Sequence, residues 1–505
     1  MTMTTSDTGH EAAPLRRRGR RSRYDAIVIG SGVGGSVTAA ILADAGLSVL
    51  VLEKNPTPGG ILSSTRKRGF KLDLGSHLVS RGERGPLGAV LRRVGLDRPR
   101  FLTHRIPVRS RGMFEITAPP TVAGLPAVAL QAARALDLPM RERAALVRMM
   151  FEVFTLTEWE LRAWDRRTLD TFIRQHTEHP GAYFLFAFLA SIFFVLPPWE
   201  VSAGESIRCL RRLLLDYQLS YVEGGMDAYT TALLSRVAPH GDVVISARAA
   251  SIRRSNDTLV VDTADGAEYS APFVSCNMAP ADLAEIVEPG ALPADWTSRA
   301  RSLRASGNAH QLKLALRRPL VDEGCLIGGI SLEGLTLRDL SIDLMHRAVG
   351  DIEAGRVADP LSIYAPVPTN YDPSLAPDGG QIIVASVYGP TCDDPVDGPD
   401  RWRDRALTAM ASIIPNLHDE LLFVEFVPVS GIGRWMGKRS RGAICNGQVP
   451  GQVGRDRLPV ETPLPGLYIC GDGAGGHGIG MELAAVSGTE AADAIIAAQG
   501  ARRAA

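Results

Sequence analysis

The residues most capable of chemistry form a glycine loop near the start of the chain, Gly30-Ser31-Gly32-Val33-Gly34-Gly35, which satisfies GxGxxG at Gly30, Gly32 and Gly35. Each glycine has its own task. The first allows a tight turn, the second lets backbone approach a pyrophosphate, and the third lets a helix pack closely on a strand. A helix beginning near Gly34 would turn unpaired N–H groups and a positive dipole end towards phosphates. An acid, Glu53, stands where such a loop needs a ribose-binding carboxylate. Together these residues predict a dinucleotide site.

The elements around the loop agree. Tyr24-Asp25-Ala26-Ile27-Val28-Ile29 reads as a short buried strand, residues 36–45 as a helix and residues 48–52 as a second strand, giving a βαβ unit. A second candidate unit opens at Tyr221 with Gly224-Gly225, a helix over 227–237 and a strand over 242–246. Strands carrying Leu259-Val260-Val261 and Phe273-Val274-Ser275 follow. A last unit has a strand over 467–470, a glycine loop from Gly471 and a helix over 481–498.

After the first unit the chain runs to Pro58-Gly59-Gly60 and then to Gly69-Phe70-Lys71-Leu72-Asp73-Leu74-Gly75-Ser76-His77. Near its end it carries Pro465-Gly466-Leu467-Tyr468-Ile469-Cys470-Gly471-Asp472-Gly473 and Gly475-Gly476-His477-Gly478-Ile479-Gly480-Met481-Glu482. In these stretches, and in Tyr221-Val222-Glu223-Gly224-Gly225-Met226, the sequence resembles the phytoene desaturase, carotenoid isomerase and retinol saturase family within the flavin amine oxidase superfamily. The resemblance implies FAD in an α/β fold: a Rossmann-like domain of the two-dinucleotide-binding type with an inserted α+β substrate domain. It implies flavin contacts at Gly30 to Gly35 (Ser31, Val33 and Gly34 included), Glu53, Lys54, Gly60, Ile61, Leu62, Gly75, Ser76, His77, Ala249, Gly471, Asp472, Gly478, Ile479, Gly480 and Met481. A helix start at Gly480 and Met481 would favour negative charge on the reduced ring. Two departures stand out: Ile61 occupies a position where many relatives carry Arg or Lys, and His477 lies inside a loop that is otherwise glycine-rich.

Flavin hydride chemistry needs a C–H bond close to N5 in a dry pocket and does not strictly need a protein acid or base. The candidate catalytic groups are His77, His477 and Glu482. His77 could donate or accept a proton near neutral pH, His477 is placed to touch substrate or flavin, and Glu482, in a first helical turn, also suits a charge that complements the dipole. Cys445, 26 residues ahead of Gly471, resembles the covalent-flavin cysteine of monoamine oxidases in its spacing; a buried free thiol is the simpler expectation. The aromatic block from Phe151 to Trp199 fits either a long apolar pocket or helical core packing. The leading expectation is therefore a desaturase or dehydrogenase that takes hydride from an apolar substrate (polyene, isoprenoid or polyketide-like), with oxygen, a quinone or another acceptor reoxidising the flavin. The alternatives are a redox-neutral isomerase or saturase using reduced FAD, an amine oxidase, and a non-catalytic prenyl-binding escort-type protein.

At 505 residues, with 45% hydrophobic and 22% charged residues, the chain suits a folded enzyme of two domains. The cofactor domain is expected at 24–100, 221–285 and 430–500, and the substrate domain at 101–220 and 286–429. A formal net charge of +0 gives no reason to expect nucleic acid. Six scattered cysteines without a CxxC pair argue against a disulfide framework, a structural metal or an oxidising compartment. Residues 1–23, with their arginine run, read as a disordered basic tail. The apolar stretch from Tyr183 to Leu196, stopped by Pro197-Pro198, is too short to span a bilayer; it suits a buried helix, one wall of a substrate tunnel, or a segment dipping into a membrane surface. The expected setting is cytoplasmic, with peripheral membrane contact as a secondary expectation.

Overall fold

The computed structural model describes residues 14–437, 442 and 446–504. Its cofactor-binding half is organised by a parallel sheet of six strands in the order Leu15–Arg16, Asp242–Ile245, Val49–Glu53, Ala26–Ile29, Phe273–Cys276 and Leu467–Ile469. The strands Ala26–Ile29, Val49–Glu53, Phe273–Cys276 and Leu467–Ile469 are buried at every position. That is the pattern of a parallel sheet covered on both faces. One face carries the helices Val33–Asp44, Asp227–Ser235 and Gly480–Ala504, which bury Val37, Ile41, Leu233, Ala485 and Ile495. Small residues bring the first and last of these together: Thr38 Oγ1 donates to the Gly488 carbonyl at 3.0 Å, and a Cβ on Gly488 would stand 2.6 Å from the Gly34 oxygen. The other face packs on an antiparallel sheet of Ala249–Ser255, Thr258–Thr263 and Glu268–Ala271.

Two expectations change here. Residues 14–23 are not a loose tail, because buried Asp242 anchors them. Its carboxylate accepts from Arg20 N and Nε at 2.9 and 2.7 Å and from Tyr24 OH at 2.6 Å, and it pairs with Arg16. The second unit is also not a parallel βαβ. Its first strand, Ser220–Val222, pairs antiparallel with Phe101–Thr103 outside the main sheet. Gly224 and Gly225, at φ +80° and +103°, then turn the chain into the helix Asp227–Ser235.

A second sheet of seven strands runs in the order Leu421–Val427, Asn308–Leu316, Gln381–Gly389, Leu361–Pro366, Cys325–Ile330, Val108–Ser110 and Thr117–Ala118. It therefore draws strands from both expected insertions. Helix Pro399–Ile413 covers one face through Trp402 and Met410. The helices between residues 125 and 215 enclose a separate core that includes Phe114, Phe172, Tyr183, Phe184 and Phe188. The apolar stretch forms the helix Pro180–Phe194 within this group. No helix among the described residues is long and apolar enough to cross a membrane.

Candidate active site

All six strands of the parallel sheet run the same way, so the loops after them collect along its carboxyl edge, where open α/β sheets bind ligands. At that edge the glycine loop is forced by its surroundings. Gly30 turns at φ +91°, and a Cβ on Gly35 would overlap the Gly30 carbonyl oxygen. A Cβ on Gly34 would lie 2.5 Å from the Gly471 nitrogen, and one on Gly60 would lie 3.2 Å from Gly32 Cα. Gly32 is the N-cap of helix Val33–Asp44 and supplies no side-chain cap. The result is an uncapped helix start lined by bare backbone, which suits a diphosphate. Glu53, almost wholly buried, accepts from Ser31 N at 3.0 Å, Ser31 Oγ at 2.6 Å and Asn55 N at 2.8 Å, so the acid is held against the loop it was expected to serve.

Other expected contacts sit nearby with partners of their own. Lys54 Nζ donates to Asn55 Oδ1 at 2.9 Å and to the Trp435 carbonyl; burial lowers its pKa, against the opposing pull of Glu53. Trp435 Nε1 donates to the Gly60 carbonyl at 3.0 Å. Ile61 and Leu62 complete the short turn Gly60–Leu62, with Leu62 buried. A Cβ on Gly75 would meet Ile61 Cγ1 at 3.0 Å and His77 Nδ1 at 3.1 Å, which brings these three residues together. His77 is half-buried and its Nδ1 has no hydrogen-bond partner. Burial lowers its pKa to about 4, partly offset by the Gly75 backbone, so the ring is neutral near pH 7. Ser76 Oγ faces Gln311 Oε1 and the Val384 carbonyl, both at 2.7 Å, tying this loop to the second sheet. Ala249 opens the strand Ala249–Ser255 beside the same edge.

At the carboxyl end, Gly471 turns at φ +97° and its N–H donates to Ser487 Oγ at 2.8 Å. Asp472 is half-buried and within electrostatic reach of Arg457. His477 does not line the apolar cavity described below. Its Nδ1 faces Glu205 Oε2 at 2.6 Å, and Gly478 N donates to Glu205 Oε1 at 2.6 Å. Glu482 accepts from Arg81 Nε and Nη2 at 2.9 and 2.7 Å and from Ser80 Oγ at 3.0 Å. Its charge is therefore already matched. Gly478, Ile479, Gly480 and Met481 lead into helix Gly480–Ala504; Gly480 turns at φ +51° and a Cβ there would meet open space.

Sequence reasoning missed four residues. Asn277 follows the strand Phe273–Cys276, and its amide lies between the two glycine loops: a Cβ on Gly32 would stand 2.7 Å from Asn277 Nδ2, and one on Gly34 would stand 2.9 Å from Asn277 Oδ1. Its position just past a buried parallel strand was the available signal. Glu205, Arg81 and Trp435 carried none, because their partners are remote in sequence. Cys445 lies outside the described residues.

Beyond this edge is an apolar cavity walled by Phe172, Phe186, Leu189, Phe193, Ile207 and Leu210 and bounded by Gly478, Ile479 and Glu482. Helix Pro180–Phe194 divides its aromatics: Phe184 and Phe188 enter the core, while Phe186 and Phe193 face the cavity. Phe151, Phe154 and Trp159, expected in the same pocket, instead face outward and are exposed. Helix Met140–Thr155, which carries Phe151 and Phe154, already buries its opposite face through Ala145, Met149 and Val153.

The chain matches the family described as flavin containing amine oxidoreductase over residues 34–496. Human all-trans-retinol 13,14-reductase is 47% identical over 66 residues, 13% of this chain and 11% of that protein. The chloroplastic prolycopene isomerase of Daucus carota is 52% identical over 61 residues, 12% of this chain and 10% of that protein. The matched stretch is thus about a tenth of the length of either relative. Among solved structures, an oxidoreductase from Methanosarcina mazei gives a TM-score of 0.67 at 19% identity, covering 92% of this chain and 98% of that one. Wild-type putrescine oxidase bound to putrescine gives 0.65 at 16% identity, covering 94% and 99%. These two share the fold. Because the family match extends from inside the first glycine loop almost to the end of the last helix, the chain belongs to the flavin containing amine oxidoreductase family and is an FAD-dependent oxidoreductase.

Proposed function

We propose that the protein removes hydride from a C–H bond of a long apolar substrate, polyene, isoprenoid or polyketide-like, seated in the cavity beside Gly478 and Ile479. The observation that carries this reading is the cavity itself, whose wall is built from Phe172, Phe186, Leu189, Phe193, Ile207 and Leu210 and which ends at the backbone leading into helix Gly480–Ala504. When bound, FAD would supply the hydride-accepting chemistry, with oxygen or a quinone as the class of electron acceptor.

The residues suited to hold FAD are the bare loop Gly30 to Gly35 at the diphosphate, Glu53 at the ribose, and Gly471 with Asp472 further along. Gly480 and Met481, at a helix start, favour negative charge nearby. The apolar wall excludes water, which strengthens every electrostatic interaction at the rim. His77, neutral above about pH 4, serves as a hydrogen-bonding group and not as a standing cation. Glu205 fixes His477, and Arg81 fixes Glu482, so both are read as positioning residues.

A second reading, isomerisation or saturation by reduced FAD, is favoured by the retinol 13,14-reductase and prolycopene isomerase matches. Amine oxidation fits the cavity less well. Its lining includes Arg81 and Arg212, and its one carboxylate among the described residues, Glu482, is paired with Arg81. A substrate ammonium would therefore meet guanidinium groups.

The test is anaerobic incubation of the yellow protein with retinol or lycopene dispersed in detergent. Dehydrogenation bleaches oxidised flavin. Conversion only after chemical pre-reduction supports the isomerase or saturase reading, and bleaching by amines alone overturns both.

A further inference from the structure

We propose that the outward face of helix Met140–Thr155 seats the protein on an anionic lipid bilayer beside the cavity. The inference rests on the reading of that cavity as an apolar-substrate site.

Met140, Val147, Phe151 and Phe154 are 75%, 69%, 71% and 45% exposed, and Trp159 just beyond the helix is 77% exposed. Their spacing of seven, four and three residues places the four helix positions on one face. Single exposed apolar residues are ordinary, but a stripe of them marks an interaction surface. Ala145, Met149 and Val153 fill the opposite face, and Met149 and Val153 line the cavity. One helix thus separates the cavity from the exposed stripe.

Charge identifies the occupant. Arg141 and Arg148, seven residues apart, share one flank of the stripe and are exposed, as is Arg134 on the preceding helix. Among the described residues none of these three forms an ion pair. Most neighbouring acids are engaged: Glu142 accepts from Thr177 Oγ1 at 2.5 Å, Glu152 faces His176 Nε2 at 3.1 Å, Glu158 pairs with Arg208 at 2.7 Å, and Glu160 caps its own helix at Thr157. Asp137 and Glu178 are exposed exceptions. An apolar stripe with arginines at its margin and an exposed Trp nearby is the pattern of a helix lying in a headgroup layer. A second copy of the chain would bring the same arginines face to face, whereas anionic lipid would neutralise them.

The test is co-sedimentation of the flavin-loaded full chain with phosphatidylcholine vesicles, with and without phosphatidylglycerol. Binding should require phosphatidylglycerol and weaken with salt. Val147→Glu with Phe151→Glu should lower partitioning about tenfold or more, while Val396→Glu, at a remote exposed position, should not. Should the double glutamate variant melt early, Arg141→Gln with Arg148→Gln provides a second probe and should remove the preference for anionic vesicles. Absence of binding, binding unchanged in both double variants, or a dimer abolished by Phe151→Glu would overturn the proposal. Flavin reduction by detergent-dispersed polyene, measured on the same samples, tests the cavity reading separately.

Discussion

The carboxylate of Glu205, buried on helix Ala203–Leu215, receives the Nδ1 side of His477 and the N–H of Gly478 at 2.6 Å each, across 272 and 273 residues of chain. Burial alone would raise its pKa, but His477, Arg457 and the Gly478 N–H outweigh burial and hold it below the usual carboxylate range. One side chain from the helical region thereby fixes the loop that ends at Gly480. Glu205→Ala should lower stability by about 3 kcal/mol or more, because it leaves buried donors unmatched. It should also loosen FAD, seen as a rise in free-flavin fluorescence. The depressed pKa gives a contribution fully present above the unfolded value and lost as pH falls from there through the lower folded value, so the wild-type advantage over Glu205→Ala should shrink on acidification. An advantage independent of pH would show that Glu205 acts by packing alone.

The two glycine loops meet where Gly34 abuts the Gly471 backbone. Gly34→Ala places a methyl group 2.5 Å from the Gly471 nitrogen, with no flexible side chain able to give way. The variant should be isolated without bound FAD or fail to fold. Gly350, in helix Ile342–Glu353, has nothing within 4 Å of an added methyl group, so Gly350→Ala should raise stability by up to about 1 kcal/mol. Equal flavin content in the two variants would contradict the proposed junction.

Asn277 reaches both loops from the end of a third strand. Its amide fills the space between them: a Cβ on Gly32 would meet Nδ2 at 2.7 Å, and one on Gly34 would meet Oδ1 at 2.9 Å. Asn277→Ala should fold, since the site lies at a strand end, yet retain FAD about tenfold less tightly. Equilibrium dialysis with free FAD measures the change. Unchanged affinity would leave Asn277 a spacer only.

The sequence made legible what local chemistry dictates. Gly30, Gly34 and Gly35 were readable because each is forced by backbone within the strand–loop–helix unit or by its mirror at Gly471. What tertiary contacts decide was not readable. The basic run looked like a solvated tail because Asp242, its anchor, lies more than two hundred residues away. The pairings of Glu205 with His477 and Arg81 with Glu482 were hidden for the same reason. Helix Met140–Thr155 carries apolar residues on two faces, and periodicity alone cannot say which of them turns inward.

Asp73 provides a pH test of the second loop. Burial raises its carboxyl from 3.8 to about 6, although Tyr221 and Ser64 donate to it. Because the folded value exceeds the unfolded one, the folded chain holds the proton more tightly. Stability from this group is complete at low pH and is lost as pH rises towards about 6. An Asn amide can accept from one hydroxyl through Oδ1 and donate to the other through Nδ2 while carrying no charge. Asp73→Asn should therefore gain on wild type between about pH 4 and pH 6, by on the order of 3 kcal/mol, and keep a constant lead above that. Parallel melting curves across this range would refute a buried, proton-retaining Asp73.

Glu482 stands at the rim of the cavity, with Arg81 as its partner through two guanidinium nitrogens and Ser80 as its third donor. Arg81 also reaches Asp216 at 3.3 Å, so it is not left alone when Glu482 is neutralised. Glu482→Gln should cost about 1.5–3 kcal/mol of stability, the range for hydrogen bonds to a charged group. Arg81→Ala strands the carboxylate and should cost about 3–5 kcal/mol. The double change Arg81→Ala with Glu482→Gln should recover part of that loss, and the cycle of these two singles and their double isolates the pair energy. In anaerobic flavin reduction, Glu482→Gln should slow the reaction by no more than about tenfold and leave its pH profile in place. A flavin-loaded, stable Glu482→Gln protein that no longer reduces its flavin would place the carboxylate among the reacting groups and end its reading as a positioning residue.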